Sequence, residues 1–159
     1  MLHITFICIG KLKEDYLKSA ILEYSKRVSK YCTLNIVELP DEKVPVPLNS
    51  SEKIKIIQKE SNSMKNHIPE NSYIIALDLT GKQYSSEEFS QKIEKITFFH
   101  SHITFLIGGT LGMSQELLNS CHELISFSKM TFPHQLIRVF LLEQLFRSFK
   151  IQNHETYHH

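Results

Sequence analysis

A mostly parallel α/β sheet with flanking helices is the fold class this sequence predicts, and three observations predict it. Apolar, β-branched-rich runs alternate with amphipathic helical stretches along the whole chain, the pattern of strands buried on both faces. Two of these runs, in the last third, break directly into loops rich in glycine, serine and threonine, and strand-end loops of that kind hold ligands in open α/β sheets. The length of 159 residues suits one domain over 1–159, able to bury about two thirds of its unfolded surface.

Ile4 to Ile9 is the first strand, ended by Gly10. Glu14 to Tyr31 follows as a helix, with Leu17, Ile21, Tyr24, Val28 and Tyr31 on one face at helical spacing. Leu34 to Leu39 is the second strand. Pro40, Pro45 and Pro47 then impose an irregular loop up to Asn49, because proline lacks an amide donor and fixes its φ. Ser51 is placed to cap a helix to about His67, whose inner stripe is Ile54, Ile57, Ser61, Met64 and Ile68. Tyr73 to Leu79 is a third strand, closed by Thr80-Gly81-Lys82. Ser85 with Glu88 forms a capping box that opens a helix to about Phe98. His102 to Ile107 and Leu124 to Phe127 are the last strands, with a short helix from Ser114 to Cys121 between them. The final helix, Leu136 to Phe149, is apolar on every side. One face can meet the sheet, and a homodimer is the simplest cover for the other.

Apolar and charged fractions of 42% and 22% are those of an ordinary globular chain. The formal charge of +1 builds no global basic field and counts against free RNA or DNA as a substrate, while leaving room for a partner that supplies other contacts. Cys8, Cys32 and Cys121 have no CxxC spacing, which predicts reduced thiols in a cytoplasmic protein. The start of the chain lacks a basic n-region, and its apolar run is too short for a signal or membrane segment. No metal is expected from the nine histidines, whose one adjacent pair, His158-His159, is terminal.

Gly108-Gly109-Thr110-Leu111-Gly112 follows a strand like a nucleotide loop. A dinucleotide fold also asks for an acidic residue at the next strand end, where this chain has Phe127-Ser128-Lys129. A Walker loop would need Gly-Lys-Ser/Thr, which is absent. The segment from Phe127 to His134 mixes Ser128 and Thr131 with apolar Phe127, Met130 and Phe132. With Lys129 as its one cation, it suits adenosyl-methionine better than a polyphosphate. Farther on, Glu143 and Arg147 stand at i, i+4 in the favourable order. Arg138 lies on the opposite side among apolar neighbours and must find an anion, a carboxylate of this chain or a substrate phosphate. Tyr157 and His158 end a polar tail whose default state is disorder.

The string Phe127-Ser128-Lys129-Met130-Thr131-Phe132-Pro133-His134-Gln135, the glycine loop, the opening Ile9-Gly10-Lys11 and the terminal Tyr157-His158 together resemble the RlmH family. These are small bacterial ribosomal methyltransferases of the SPOUT, or trefoil-knot, class, and the resemblance spans essentially the whole chain. It implies a C-terminal trefoil knot, a homodimer, and S-adenosyl-L-methionine-dependent methylation of N3 of a pseudouridine in 23S rRNA on the assembled 70S ribosome. It also implies cofactor contacts at Leu77, Gly108, Phe127, Ser128, Lys129, Met130, Thr131 and Phe132, and substrate-side catalytic positions at Glu143, Arg147, Tyr157 and His158. Docking on a ribosome reconciles RNA work with a near-neutral chain, since a composite surface needs less non-specific phosphate attraction. Glu143 or His158 is the candidate base for the N3 proton, or water removes it, and Arg147 is the candidate stabiliser of charge on the flanking carbonyls. The alternatives are a SPOUT enzyme acting on another RNA nucleoside, and a non-catalytic ribosome-binding assembly factor.

Overall fold

The computed structural model describes residues 1–157. Five strands form one sheet: β1 (Leu2–Ile9), β2 (Cys32–Leu39), β3 (Tyr73–Lys82), β4 (His102–Ile107) and β5 (Glu123–Ile125). Their order is β2-β1-β4-β3-β5 and every pairing is parallel. The connecting helices are α1 (Asp15–Val28), α2 (Ser50–Asn66), α3 (Ser86–Thr97) and α4 (Gln115–Ser120), and α5 (His134–Gln152) closes the chain.

The side-chain alternation of β1 divides the interior in two. Ile4, Phe6 and Cys8 pack with residues of α1, α3 and α5, while Ile7 and Ile9 pack with Met64 of α2 and Leu117 of α4. Both faces are therefore covered, which is why β1 reads as an unbroken apolar run. The three cysteines are free thiols, and burial pushes Cys8 up to about 12.

Local signals hold with small displacements. The capping box is formed, with Ser85 Oγ accepting from the Glu88 amide at 3.1 Å and the Glu88 carboxylate accepting from the Ser85 amide at 2.8 Å. The cap of α2 is Asn49 rather than Ser51, its side chain accepting from the Glu52 amide at 2.8 Å. The serine lies inside the first turn instead. Ile54 does not belong to the inner stripe: it is 66% exposed, and Glu60, Ser61 and Met64 are the buried face of that helix.

The larger departure lies at the top of β3. Thr80-Gly81-Lys82 does not close the strand; both Leu77 and Lys82 register with Ile125, so residues 78–81 pass around the end of β5. The Lys82 carbonyl accepts from the Ser126 amide at 3.0 Å. A Cβ built on Gly81 would stand 2.6 Å from backbone atoms of Leu124 and Ile125, so the crossing is possible only for glycine. Gly81→Ala is expected to cost about 3 kcal/mol, the upper part of the overpacking range, because the obstructing atoms are backbone and cannot rotate away. A shift of the urea midpoint measures it; an unchanged midpoint would mean the crossing is loose.

The final helix is covered in part by its own chain. Leu141, Leu142, Leu145 and Phe149 are buried within a single chain, because α5 is flanked by α1 on one side and α3 on the other while it crosses the sheet. Leu136, Val139 and Phe140 of the same helix stay only partly buried, so the chain itself covers the second half of α5 more fully than the first.

Candidate functional site

Because β3 pairs with β4 on one edge and β5 on the other, three strand ends converge. Above them opens a cleft of about 710 Å³. Its walls come from residues 77–80, from 107–113, and from most of the stretch 125–134 leading into α5. Gly112 has φ +84°, a conformation that glycine adopts without steric cost, and its amide returns to the Gly109 carbonyl at 3.1 Å. The facing loop is braced by its own hydroxyls. Ser126 Oγ donates to the Ser128 carbonyl at 2.8 Å, and the Met130 amide donates to Ser128 Oγ at 3.0 Å. Phe132 is held edge-on against Phe140 of α5, with ring centroids 5.4 Å apart.

Of the residues expected to touch a cofactor, Leu77, Gly108, Phe127, Ser128, Met130, Thr131 and Phe132 all line this cleft. Lys129 does not; it is exposed. No lysine or arginine stands among the described lining residues, and Asp78 is their one carboxylate. Such walls suit a neutral or cationic ligand with a flat apolar part, and leave a polyphosphate without counter-charge. Asp78 and His134 are wall residues that the sequence reading passed over. His134 is visible in the loop string, whereas Asp78 needs the strand order.

The second group of expected residues forms a separate cluster. Arg147 grips one carboxylate oxygen of Glu143 through Nε at 3.0 Å and a terminal nitrogen at 2.7 Å. Tyr157 donates to the other oxygen at 2.9 Å. Its ring lies edge-on to Phe146 at 4.9 Å and beneath the Arg147 guanidinium at 4.7 Å. The tail up to Tyr157 is thus docked rather than disordered, helped by Glu155, which accepts from Tyr31 at 2.8 Å and Lys150 at 2.7 Å. Tyr24 of α1 joins the same carboxylate; burial first, then the bond to Glu143, pushes its phenol up to about 12. Burial and Glu143 likewise raise Tyr157, so both phenols are donors at neutral pH. His158 lies outside the described residues. None of Glu143, Arg147 or Tyr157 lines the cleft of its own chain.

Sequence comparison decides the family, since the model described as "Predicted SPOUT methyltransferase" matches residues 2–158. The chain belongs to the SPOUT methyltransferase family. Over 158 residues, and 99% of both chains, it is 54% identical to the ribosomal RNA large subunit methyltransferase H of Clostridium novyi strain NT. It is 53% identical over the same coverage to the protein of that name from Clostridium botulinum strain Hall. Among solved structures, a probable methylase family protein from Haemophilus influenzae Rd KW20 shares the fold, with a TM-score of 0.57 at 12% identity, over 98% of this chain and 70% of that one.

In this SPOUT methyltransferase the floor beside the cleft carries a buried charge. Arg138, with no exposed surface, donates to Glu38 at 2.8 Å and to the carbonyls of Ile9 and Gly10 at 3.2 and 2.7 Å. The anion that the sequence required is therefore a carboxylate of the same chain. His134, one turn earlier on α5, is held below 6.5 by burial first and by the Arg138 charge second. A histidine depressed in the folded state is protonated more readily when unfolded, so its contribution is complete above pH 6.5 and is lost as pH falls through the lower folded value. Wild type is expected to lose more stability than His134→Gln across that acid window. Equal slopes of unfolding free energy against pH would refute it. Among the described residues no group of three or more histidine, cysteine or acidic side chains is placed to hold a metal, and no helix is long and apolar enough to cross a membrane.

Proposed function

We propose that the cleft binds S-adenosyl-L-methionine and that the protein transfers its methyl group to N3 of a pseudouridine in 23S rRNA of the assembled 70S ribosome, working as a homodimer in the cytoplasm. The observation that carries the reading is the cleft itself: three strand ends, bare glycine backbone and apolar rings, with no lysine or arginine for a phosphate among the described lining residues. Curated relatives covering 99% of the chain are named as large-subunit rRNA methyltransferases.

The bound cofactor supplies an electrophilic methyl group on a sulfonium. The protein's tasks are to hold N3 in line with that methyl and to take up the proton that N3 gives away. Leu77, Gly108 and the 127–132 loop wall the donor's cleft. Arg147 is suited to stabilise negative charge growing on the two carbonyls beside N3. Glu143 and His158 are the candidate acceptors of the proton. Glu143 already accepts from Arg147 and Tyr157, so a base role requires one donor to swing away. Tyr157 presents a phenol and a ring face for an extruded base. Glu143, Arg147 and Tyr157 do not line the cleft of their own chain, and this supports a reading in which one subunit's tail serves its partner's cleft.

The test is methylation in vitro of intact 70S ribosomes, separated subunits and naked rRNA, read by mass spectrometry of the nucleosides. The expected product is N3-methylpseudouridine, formed with 70S particles and absent with naked rRNA. A methyl on another nucleoside would replace this reading with a different SPOUT reaction. Adenosyl-methionine binding without transfer to any substrate would favour an assembly factor, and tight NAD or ATP binding without a response to adenosyl-methionine would overturn the cofactor assignment.

A further inference from the structure

In dinucleotide folds the ribose is held by a carboxylate at the end of the strand that follows the glycine loop. Here that strand is β5, and Phe127-Ser128-Lys129 beyond it offers none. The sheet order supplies one from the other direction. β3 precedes the glycine loop by some thirty residues in sequence, yet it is the neighbour of β4 in space, with Leu77 in register with Ile107. The next residue on each strand is Asp78 and Gly108, so the carboxylate stands level with the first glycine of the loop.

We propose that Asp78 accepts the hydroxyls of the ribose diol of the nucleoside held in the cleft. This rests on the cofactor reading above and names the residue that selects the sugar. Asp78 is half-buried and is the one carboxylate among the described lining residues. Its Oδ2 accepts from the Thr80 amide at 3.0 Å and from the Thr80 hydroxyl, a short local turn that holds the carboxylate in place. Among the described residues Oδ1 receives no hydrogen bond. An ionised carboxylate is acceptor-only, and a vicinal diol presents two donors on a rigid ring. The ligand's other candidate for this carboxylate is the α-ammonium, which lies at the end of a flexible chain away from the ribose, and the probes below separate the two contacts. Gly108 opposite contributes no side chain: a Cβ there would meet Met113 Cγ at 3.0 Å and the Gly112 carbonyl carbon at 3.3 Å. A sugar can therefore approach bare backbone on one side and the carboxylate on the other.

Calorimetry with three probes tests this on the full chain: S-adenosylhomocysteine, 5′-methylthioadenosine, and the dideoxy analogue of methylthioadenosine lacking both ribose hydroxyls. Wild type is expected to bind the dideoxy probe about tenfold or more weakly than methylthioadenosine, the scale of a hydrogen bond to a charged acceptor. Asp78→Ala should lose a similar factor for methylthioadenosine and no longer distinguish the two probes. Asp78→Asn keeps an acceptor for Thr80, so it guards against loss of the turn, and should fall between them. An Asp78→Ala protein that still discriminates against the dideoxy probe overturns the proposal. So does a variant weakened toward S-adenosylhomocysteine alone, which would put the contact at the ammonium. Wild type that binds none of the three overturns the cofactor reading itself, a result separate from any behaviour of the variants.

Discussion

A mixture of subunits lacking residues 157–159 with Gly108→Val subunits is expected to regain methyl transfer that neither protein shows alone. The valine puts a branched side chain where a Cβ already meets Met113 and Gly112, and its outer methyls enter the cleft that the ligand needs. That subunit should bind no adenosyl-methionine. The truncated subunit keeps its cleft, because no described residue beyond Ile137 lines it. It does lose the Tyr157 bond to Glu143 and the edge-on contact with Phe146, so a stability cost of about 1–2 kcal/mol is expected. In the mixed dimer the intact cleft belongs to the truncated chain and the intact tail to its partner. Activity approaching half that of wild type per mixed dimer places the tail in the partner's site. No activity, with mixed dimers verified by mass, would place it in its own. Tyr157→Phe is the companion variant, since it keeps the ring against Phe146 and removes only the donor to Glu143.

Arg138→Ala is expected to lose about 3–5 kcal/mol of folding stability, the scale of breaking a buried ion pair. The guanidinium has no exposed surface and serves Glu38, Ile9 and Gly10 together. Removing it orphans two carbonyls at the top of β1 and leaves a cavity beneath α5. Arg138→Lys should recover only part of the loss, because one ammonium cannot reproduce a planar fork aimed at three acceptors. Glu38→Gln should cost less than Arg138→Ala, since Glu38 is about a third exposed and the glutamine oxygen still accepts. Urea unfolding of the four proteins gives the order. A midpoint for Arg138→Ala within error of wild type would show that the pair contributes nothing net.

The sequence by itself determined whatever depends on near neighbours along the chain. Strand and helix periods placed all ten elements, and the Ser85–Glu88 box lies where the residue types put it. The glycine loop and the 127–132 loop were legible as cleft walls because strand ends leave backbone groups free. That Lys129 is exposed and off the lining was not legible, because proximity in a loop does not say which way a side chain turns. Only the tertiary structure decided which distant parts meet. An apolar-all-round helix reads the same whether α1 and α3 cover it or a second chain does, and here α1 and α3 cover Leu141, Leu142, Leu145 and Phe149. Arg138 demanded an anion, but a partner a hundred residues away is invisible to periodicity. Gly81 looked like a turn residue until the strand it crosses was seen. Strand order set Asp78 beside Gly108. Helix and strand periods and caps are short-range, set by backbone geometry over a few residues. Strand order and charge pairing are chosen by the whole chain at once, as it minimises exposed apolar surface and unpaired buried charge.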